Sequence, residues 1–169
     1  MIRPFLAKMR GTGRPPAGPG LRHAAAAGLG GGVALAVVAL LSVWAEAPLL
    51  IAPFGASCVL LFAVPDSPLA QPRNVIGGHG VAALVGVLFL LAFGAAWWVA
   101  PLAAGAAIAA MVALRVVHPP AGANPLVVIA GGHGFGFVAS PVLTGAAVLV
   151  AVALVVNNLP RDRRYPAYW

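Results

Sequence analysis

HPPAGANP, residues 118–125, decides how the whole chain is read. It sets a histidine, three prolines, a glycine and an asparagine inside a run, residues 116–160, that contains no Asp, Glu, Lys or Arg. Proline removes a backbone donor and clashes with the preceding turn, and glycine weakens helix further. In an apolar run of this length the stretch marks an interrupted helix.

The charges outside that run point the same way. The 169 residues are 62% hydrophobic and 8% charged, against about a quarter charged in soluble domains. Residues 24–45, 47–65 and 74–114 are also free of Asp, Glu, Lys and Arg. A hydrocarbon core about 30 Å thick takes about 20 apolar residues as a helix. Apolar surface on this scale faces lipid.

The net charge of +7 is not interleaved with aromatics along a surface, which argues against nucleic acid as a partner. Lys and Arg gather before Ala24 and after Leu159, the pattern of cytoplasmic flanks in an inner (plasma) membrane protein. Both termini are expected to be cytoplasmic. The one cysteine, Cys58, excludes an intramolecular disulfide and a multi-cysteine metal cluster. Ala45-Glu46-Ala47 after an apolar stretch resembles a signal cleavage site, but the stretch is long and further spans follow, so a retained helix is expected.

The expected fold is an all-α integral membrane bundle with four full spans and two short Pro/Gly-broken segments. Residues 1–23 form a basic arm and 160–169 a tail, with the transmembrane domain at 24–159. The full spans are expected at about 24–45, from after 77–80 to 99, at 101–117 and at 137–156. Gly28, Gly30, Gly31 and Gly32 near the start of the first span suit close helix packing.

Self-similarity supports a duplication over about 24–99 and 101–156. Pro53-Phe54-Gly55-Ala56-Ser57 matches Pro120-Ala121-Gly122-Ala123-Asn124, and each is followed by a GGHG tetrapeptide, at 77–80 and 131–134. The broken segments either both cross, giving six passes in inverted repeats, or both re-enter, giving four in parallel repeats. With six, Arg73 and Arg115 share the basic side, which favours that alternative.

Paired interrupted segments are the best sequence pointer to a transporter's binding site. The breaks are Pro53, Gly55, Pro119, Pro120 and Gly122. Helices restarting there present N–H groups and a positive dipole end, which prefer a small anion. Ser57 and Asn124 sit where a small side chain caps such a helix or touches a ligand. Arg73, Arg115 and His118 add positive charge. His79 and His133 are either caps at the membrane interface or proton-relay groups. No histidine pair has helix spacing for a metal, no nucleophile or triad is visible, and neither cofactor nor enzymatic activity is expected.

FGASCVLLFAVPDSPLAQPRNVIGGH followed by HPPAGANPLVVI resembles the HPP family of small integral membrane proteins. Its members are described with four transmembrane helices, sometimes with CBS domains. Some plant and cyanobacterial members are linked to nitrite transport, which implies passage of nitrite or another small anion. The resemblance carries the family's motifs onto Phe54 to Ser57, onto Ser67 to Asn74 including Asn74 itself, and onto His118 to Asn124. Threonine often stands in the family where this chain has Asn124. The resulting expectation is a channel or secondary transporter for a small inorganic anion, working as a homo-oligomer in the lipid bilayer. The alternative is a non-transporting assembly subunit.

Overall fold

A computed structural model describes residues 7–10, 13–161 and 163–169. The expected arm at 1–23 and tail at 160–169 therefore lie partly outside the described residues. Within these, every regular element is helical.

Three helices are long and apolar enough to cross a membrane: α1 (Leu21–Trp44), α3 (Pro72–Phe93) and α6 (Phe135–Asn158). Two shorter apolar helices are α2 (Pro53–Ala63) and α4 (Val99–Ala113). The eight-residue α5 (Asn124–Gly131) follows a 3-10 turn at Pro119–Ala123. At 1.5 Å per residue α4 is about 22 Å long, short of a full hydrocarbon core. The expected fourth full span is thus a shorter helix, because Leu114 to Val117 leave the helix before the HPP motif.

α1 begins at Leu21, directly after Gly20 at φ 86, so Arg22 and His23 belong to helix rather than to the arm. The expected breaks at Pro53 and Gly55 do not break α2. Pro53 occupies its first turn, where the missing N–H costs nothing, and Gly55 continues the helix. The interruption lies before it, in the irregular stretch at residues 48–51. α2 widens to a π-helical turn at Val59–Ala63. Side chains from other helices satisfy its last carbonyls: Asn157 Nδ2 donates to Leu61 O at 2.9 Å and His23 Nε2 to Ala63 O at 2.8 Å. α6 kinks at Ser140 (φ −138, ψ 123), ahead of Pro141.

α1 and α4 end in the same cap. At α1, the Glu46 N–H donates to Val43 O and the Ala47 N–H to Ser42 O; at α4, the Arg115 N–H donates to Val112 O and the Val116 N–H to Met111 O. Both are Schellman motifs, which need a left-handed residue past the helix end. Glu46 (φ 49) and Arg115 (φ 57) fill that position without being glycine.

These contacts fix the course of the chain. His23 meets Ala63, Arg73 reaches Leu114, and Tyr165 reaches Ala70, so both ends of the bundle's chain share one face with the 64–71 and 114–117 connections. Residues 45–52, 94–98 and 132–134 connect at the opposite end. The chain therefore passes six times between the two ends, twice through interrupted segments. Arg22, Arg73, Arg115, Arg161, Arg163 and Arg164 all belong to the first face, called here the basic end.

The core is divided. Ala34 and Val38 of α1 pack with Phe54 and Leu61 of α2 and Leu149 of α6. Ala82 of α3 packs with Ala107 and Met111 of α4, and Val99, Ala103 and Ile129 form a third cluster. Gly30 and Gly31 are buried against Phe62 and Cys58, whereas Gly28 and Gly32 face open space. α3 adjoins α4, α5 and α6 and so joins the two halves.

Candidate functional site

Four polar side chains meet inside the bundle, each fully buried: Ser57 of α2, His79 of α3, His118 ahead of the 3-10 turn, and Asn124 opening α5. Ser57 Oγ lies 2.8 Å from His79 Nε2 and 2.9 Å from His118 Nε2. Asn124 Nδ2 lies 3.0 Å from both His79 Nδ1 and the His79 carbonyl. His118 Nδ1 lies 2.8 Å from Leu69 O.

The acceptors that cannot donate fix the direction of every bond. Leu69 O only accepts, so His118 carries its proton on Nδ1 and, when neutral, accepts at Nε2 from the Ser57 hydroxyl. At the other end His79 O only accepts, so Asn124 turns its amide N–H groups toward it and donates to His79 Nδ1. His79 then carries its proton on Nε2 and donates to Ser57 Oγ. The chain runs Asn124 to His79 to Ser57 to His118 to Leu69 without a charge. Both ring nitrogens of each histidine are engaged in this arrangement.

One group is unsatisfied. Asn124 Oδ1 is the one buried side-chain nitrogen or oxygen without a hydrogen-bond partner among the described residues. A buried acceptor left unpaired costs about 1–3 kcal/mol.

The backbone is shaped around the cluster. A Cβ at Gly78 would lie 2.7 Å from His118 Cβ and 2.8 Å from Val116 O, so only glycine lets the HPP segment approach α3 this closely. The Phe54 ring stands edge-on to His79 at 5.3 Å between centroids, and the two imidazoles are 5.0 Å apart. His79 is seven residues into α3, about 10 Å along it from the basic end.

A second polar layer closes the basic end. Asn74 Nδ2 donates to Val117 O at 3.0 Å, next to His118, and Asn74 Oδ1 accepts from the Tyr168 hydroxyl at 3.1 Å. Gln71 Nε2 donates to Pro65 O and Ser67 O, and Gln71 Oε1 accepts from the Ala167 N–H. The Tyr165 hydroxyl donates to Ala70 O at 2.8 Å, and burial pushes this phenol's pKa above its ordinary value. The C-terminal residues, expected as a tail, thus fold back over the 65–71 connection that carries Leu69. Gln71 falls within the Ser67 to Asn74 motif, whereas Tyr165 and Tyr168 were not expected here. Tyr-Pro-Ala-Tyr near the terminus was a usable signal, because buried tyrosines need partners for their hydroxyls.

Of the residues expected in a site, the structure brings together Ser57, His118, Asn124 and His79, with Asn74 adjoining through Val117. It leaves Arg73 and Arg115 outside, exposed at the basic end, where Arg73 Nη2 reaches Leu114 O at 3.5 Å. Both arginines belong to helix ends, Arg73 in the first turn of α3 and Arg115 in the α4 cap. His133 lies at the opposite end, stacked on Phe137 at 4.1 Å. There a cleft of about 420 Å³ separates Leu50 and Ile51 from His133, Phe137 and Pro141.

Two expectations about helix ends are corrected. Ser57 and Asn124 cap nothing: Ser57 sits one turn inside α2, 3.2 Å from Pro53 O, and Asn124 continues a 3-10 turn whose Pro119, Pro120 and Gly122 are already coiled. The two GGHG tetrapeptides are not equivalent, since residues 77–80 are helical within α3 and 131–134 turn the chain after α5 through Gly132 at φ 63. His79 is therefore no interfacial cap.

Comparison with known proteins bears on the whole chain. The family model described as HPP, transmembrane region, matches residues 16–166. Two transmembrane proteins of Dictyostelium discoideum are similar: one is 39% identical over 180 residues, the other 36% over 177. Each alignment covers 98% of this chain, but 63% and 57% of the relatives' own lengths. The chain thus spans less than two thirds of the curated relatives it matches. No solved structure matches.

Proposed function

The chain belongs to the HPP transmembrane family, and from that premise we propose that it is a channel or secondary transporter for a small inorganic anion, nitrite-like in size. The observation that carries this reading is the buried Ser57, His79, His118 and Asn124 cluster, fed by both interrupted segments. Polar groups at membrane depth are expensive, and an apolar scaffold of the same shape would hold the bundle together without them. The arginines at the basic end attract an anion to one mouth, and the cleft beside His133 offers the other.

We read the architecture as two inverted three-segment units, α1 to α3 and α4 to α6, crossing six times. Ser57 and Asn124 support this, since they stand at matching motif positions and bond opposite nitrogens of His79. Three of the segments, α1, α3 and α6, are full spans, and α4 makes a shorter fourth crossing in this reading. On the positive-inside rule the basic end is cytoplasmic, with both termini, in an inner or plasma membrane. The solute leaves chemically unchanged in this reading, and a homo-oligomer supplies the wall that so short a chain lacks.

Uptake of nitrite, nitrate, formate and chloride into proteoliposomes tests the function. We expect saturable uptake of at least one, reduced at least tenfold by His118→Ala in protein that still elutes as a single species. An assembly subunit would instead give no uptake from the wild-type protein, and that result would sink the transport reading.

A further inference from the structure

Resting on the transport reading, we propose that the cluster accepts the ion together with a proton, as its small neutral conjugate acid, and that His118 is the group exchanging that proton. The unsatisfied atom gives the chemistry of the ligand. Asn124 Oδ1 is a buried acceptor, and an anion, which offers acceptors alone, cannot satisfy it. A small acid in its neutral form brings an O–H donor. Charge argues likewise, because an unpaired ion is very costly in an apolar interior and no charged side chain contacts the cluster.

The hydrogen-bond chain distinguishes the two histidines. His79 cannot take a second proton in place, since its Nδ1 faces the amide N–H of Asn124, which is itself held by His79 O. His118 can. Ser57 Oγ lies 3.2 Å from Pro53 O as well as 2.9 Å from His118 Nε2, so its hydroxyl can turn to the carbonyl and free the Nε2 lone pair. HA enters with its O–H toward Asn124 Oδ1; the exchange that follows breaks the H–A bond and forms Nε2–H, so that A⁻ is paired with an imidazolium rather than left as a lone ion, and Asn124 Oδ1 is unsatisfied again only until H–A re-forms. Release reverses this: the Nε2–H bond breaks, H–A re-forms, and Ser57 turns back. One proton moves with each ion.

The surroundings leave His118 as the exchanging group. From α3 the titratable group facing it is His79. On α2 Cys58 lies against Gly31 of α1, away from the cluster. Arg73 and Arg115 are exposed at the basic end, as is Asp66. From the tail, Tyr168 reaches Asn74 and Tyr165 reaches Ala70, not the imidazole. α4 and α6 bring no ionisable group to it, His133 being at the far end.

Proteoliposomes with a trapped pH indicator, given nitrite or formate and corrected for leakage through protein-free vesicles, read the coupling from the wild-type protein alone. The expected result is lumenal acidification of one proton per ion. The rate should rise about tenfold for each unit of external pH lowered while the acid is mostly ionised, and an imposed potassium-diffusion potential should not change it. Asn124→Leu should lower the rate at least tenfold. Uptake driven by the potential without acidification would overturn the proposal and leave the transport reading standing. Absence of protein-dependent ion or proton movement would overturn both.

Discussion

At the scale of single residues, Glu46 and Arg115 are the non-glycine positions among the described residues that accept a positive φ. Each sits at positive φ at the end of a helix, a conformation that costs an ordinary L-residue about 1 kcal/mol or more and costs glycine nothing. Replacing either by glycine removes that cost, offset in part by the extra freedom of glycine in the unfolded chain. Glu46→Gly and Arg115→Gly should therefore leave stability unchanged or raise it by up to about 1 kcal/mol, read as thermal unfolding in detergent. A clear loss of stability in Arg115→Gly would mean that the guanidinium holds the basic end together, beyond its backbone role in the α4 cap. His118 contrasts with both. Its φ is extended, at −136, and its burden is chemical, since every polar atom it presents to the cluster is engaged.

At the scale of elements, close packing depends on particular glycines rather than on glycine content. A Cβ at Gly30 would stand 2.6 Å from the Phe62 ring, while one at Gly32 meets nothing within 4 Å. Gly30→Ala should destabilise the α1–α2 pair by about 1–3 kcal/mol through overpacking, whereas Gly32→Ala should be neutral or stabilising by up to about 1 kcal/mol through helix propensity. Equal melting temperatures for the two variants would contradict this packing. Legibility from sequence follows the same division. The apolar runs that became α1, α3 and α6 were visible because composition and length alone specify them, and Ser57, His118 and Asn124 were visible because polar groups in such runs stand out. The side on which a residue projects was not visible. Arg73 and Arg115 are close to the motifs in sequence, yet helix ends turn them to the surface. His79 looked like an interfacial cap because GGHG reads as a helix start, while the actual start, at Pro72, was hidden in the preceding loop motif. Hydrogen bonds between residues a hundred positions apart, such as Tyr168 with Pro68, have no local signature at all.

At the scale of the whole molecule, the six passages imply a topology that can be tested without knowing the solute. Arg22, the 64–71 and 114–117 connections and the C-terminal residues share the basic end, while 45–52, 94–98 and 132–134 lie opposite. In a Cys58→Ser background, single cysteines at Asp66 and Arg161 should be protected from a membrane-impermeant thiol reagent applied to intact cells and should react after permeabilisation. Cysteines at Ala95 and Gly134 should react in intact cells. The cysteine at Gly134 decides the count of crossings. It follows the second interrupted segment, so it lies opposite the arginines only if that segment, with its eight-residue α5, carries the chain through. Labelling of position 134 with the cytoplasmic set would make the segment re-entrant. The remaining passages could not then alternate with both basic ends on one side, and the inverted pairing of Ser57 with Asn124 across His79 would lose its structural basis.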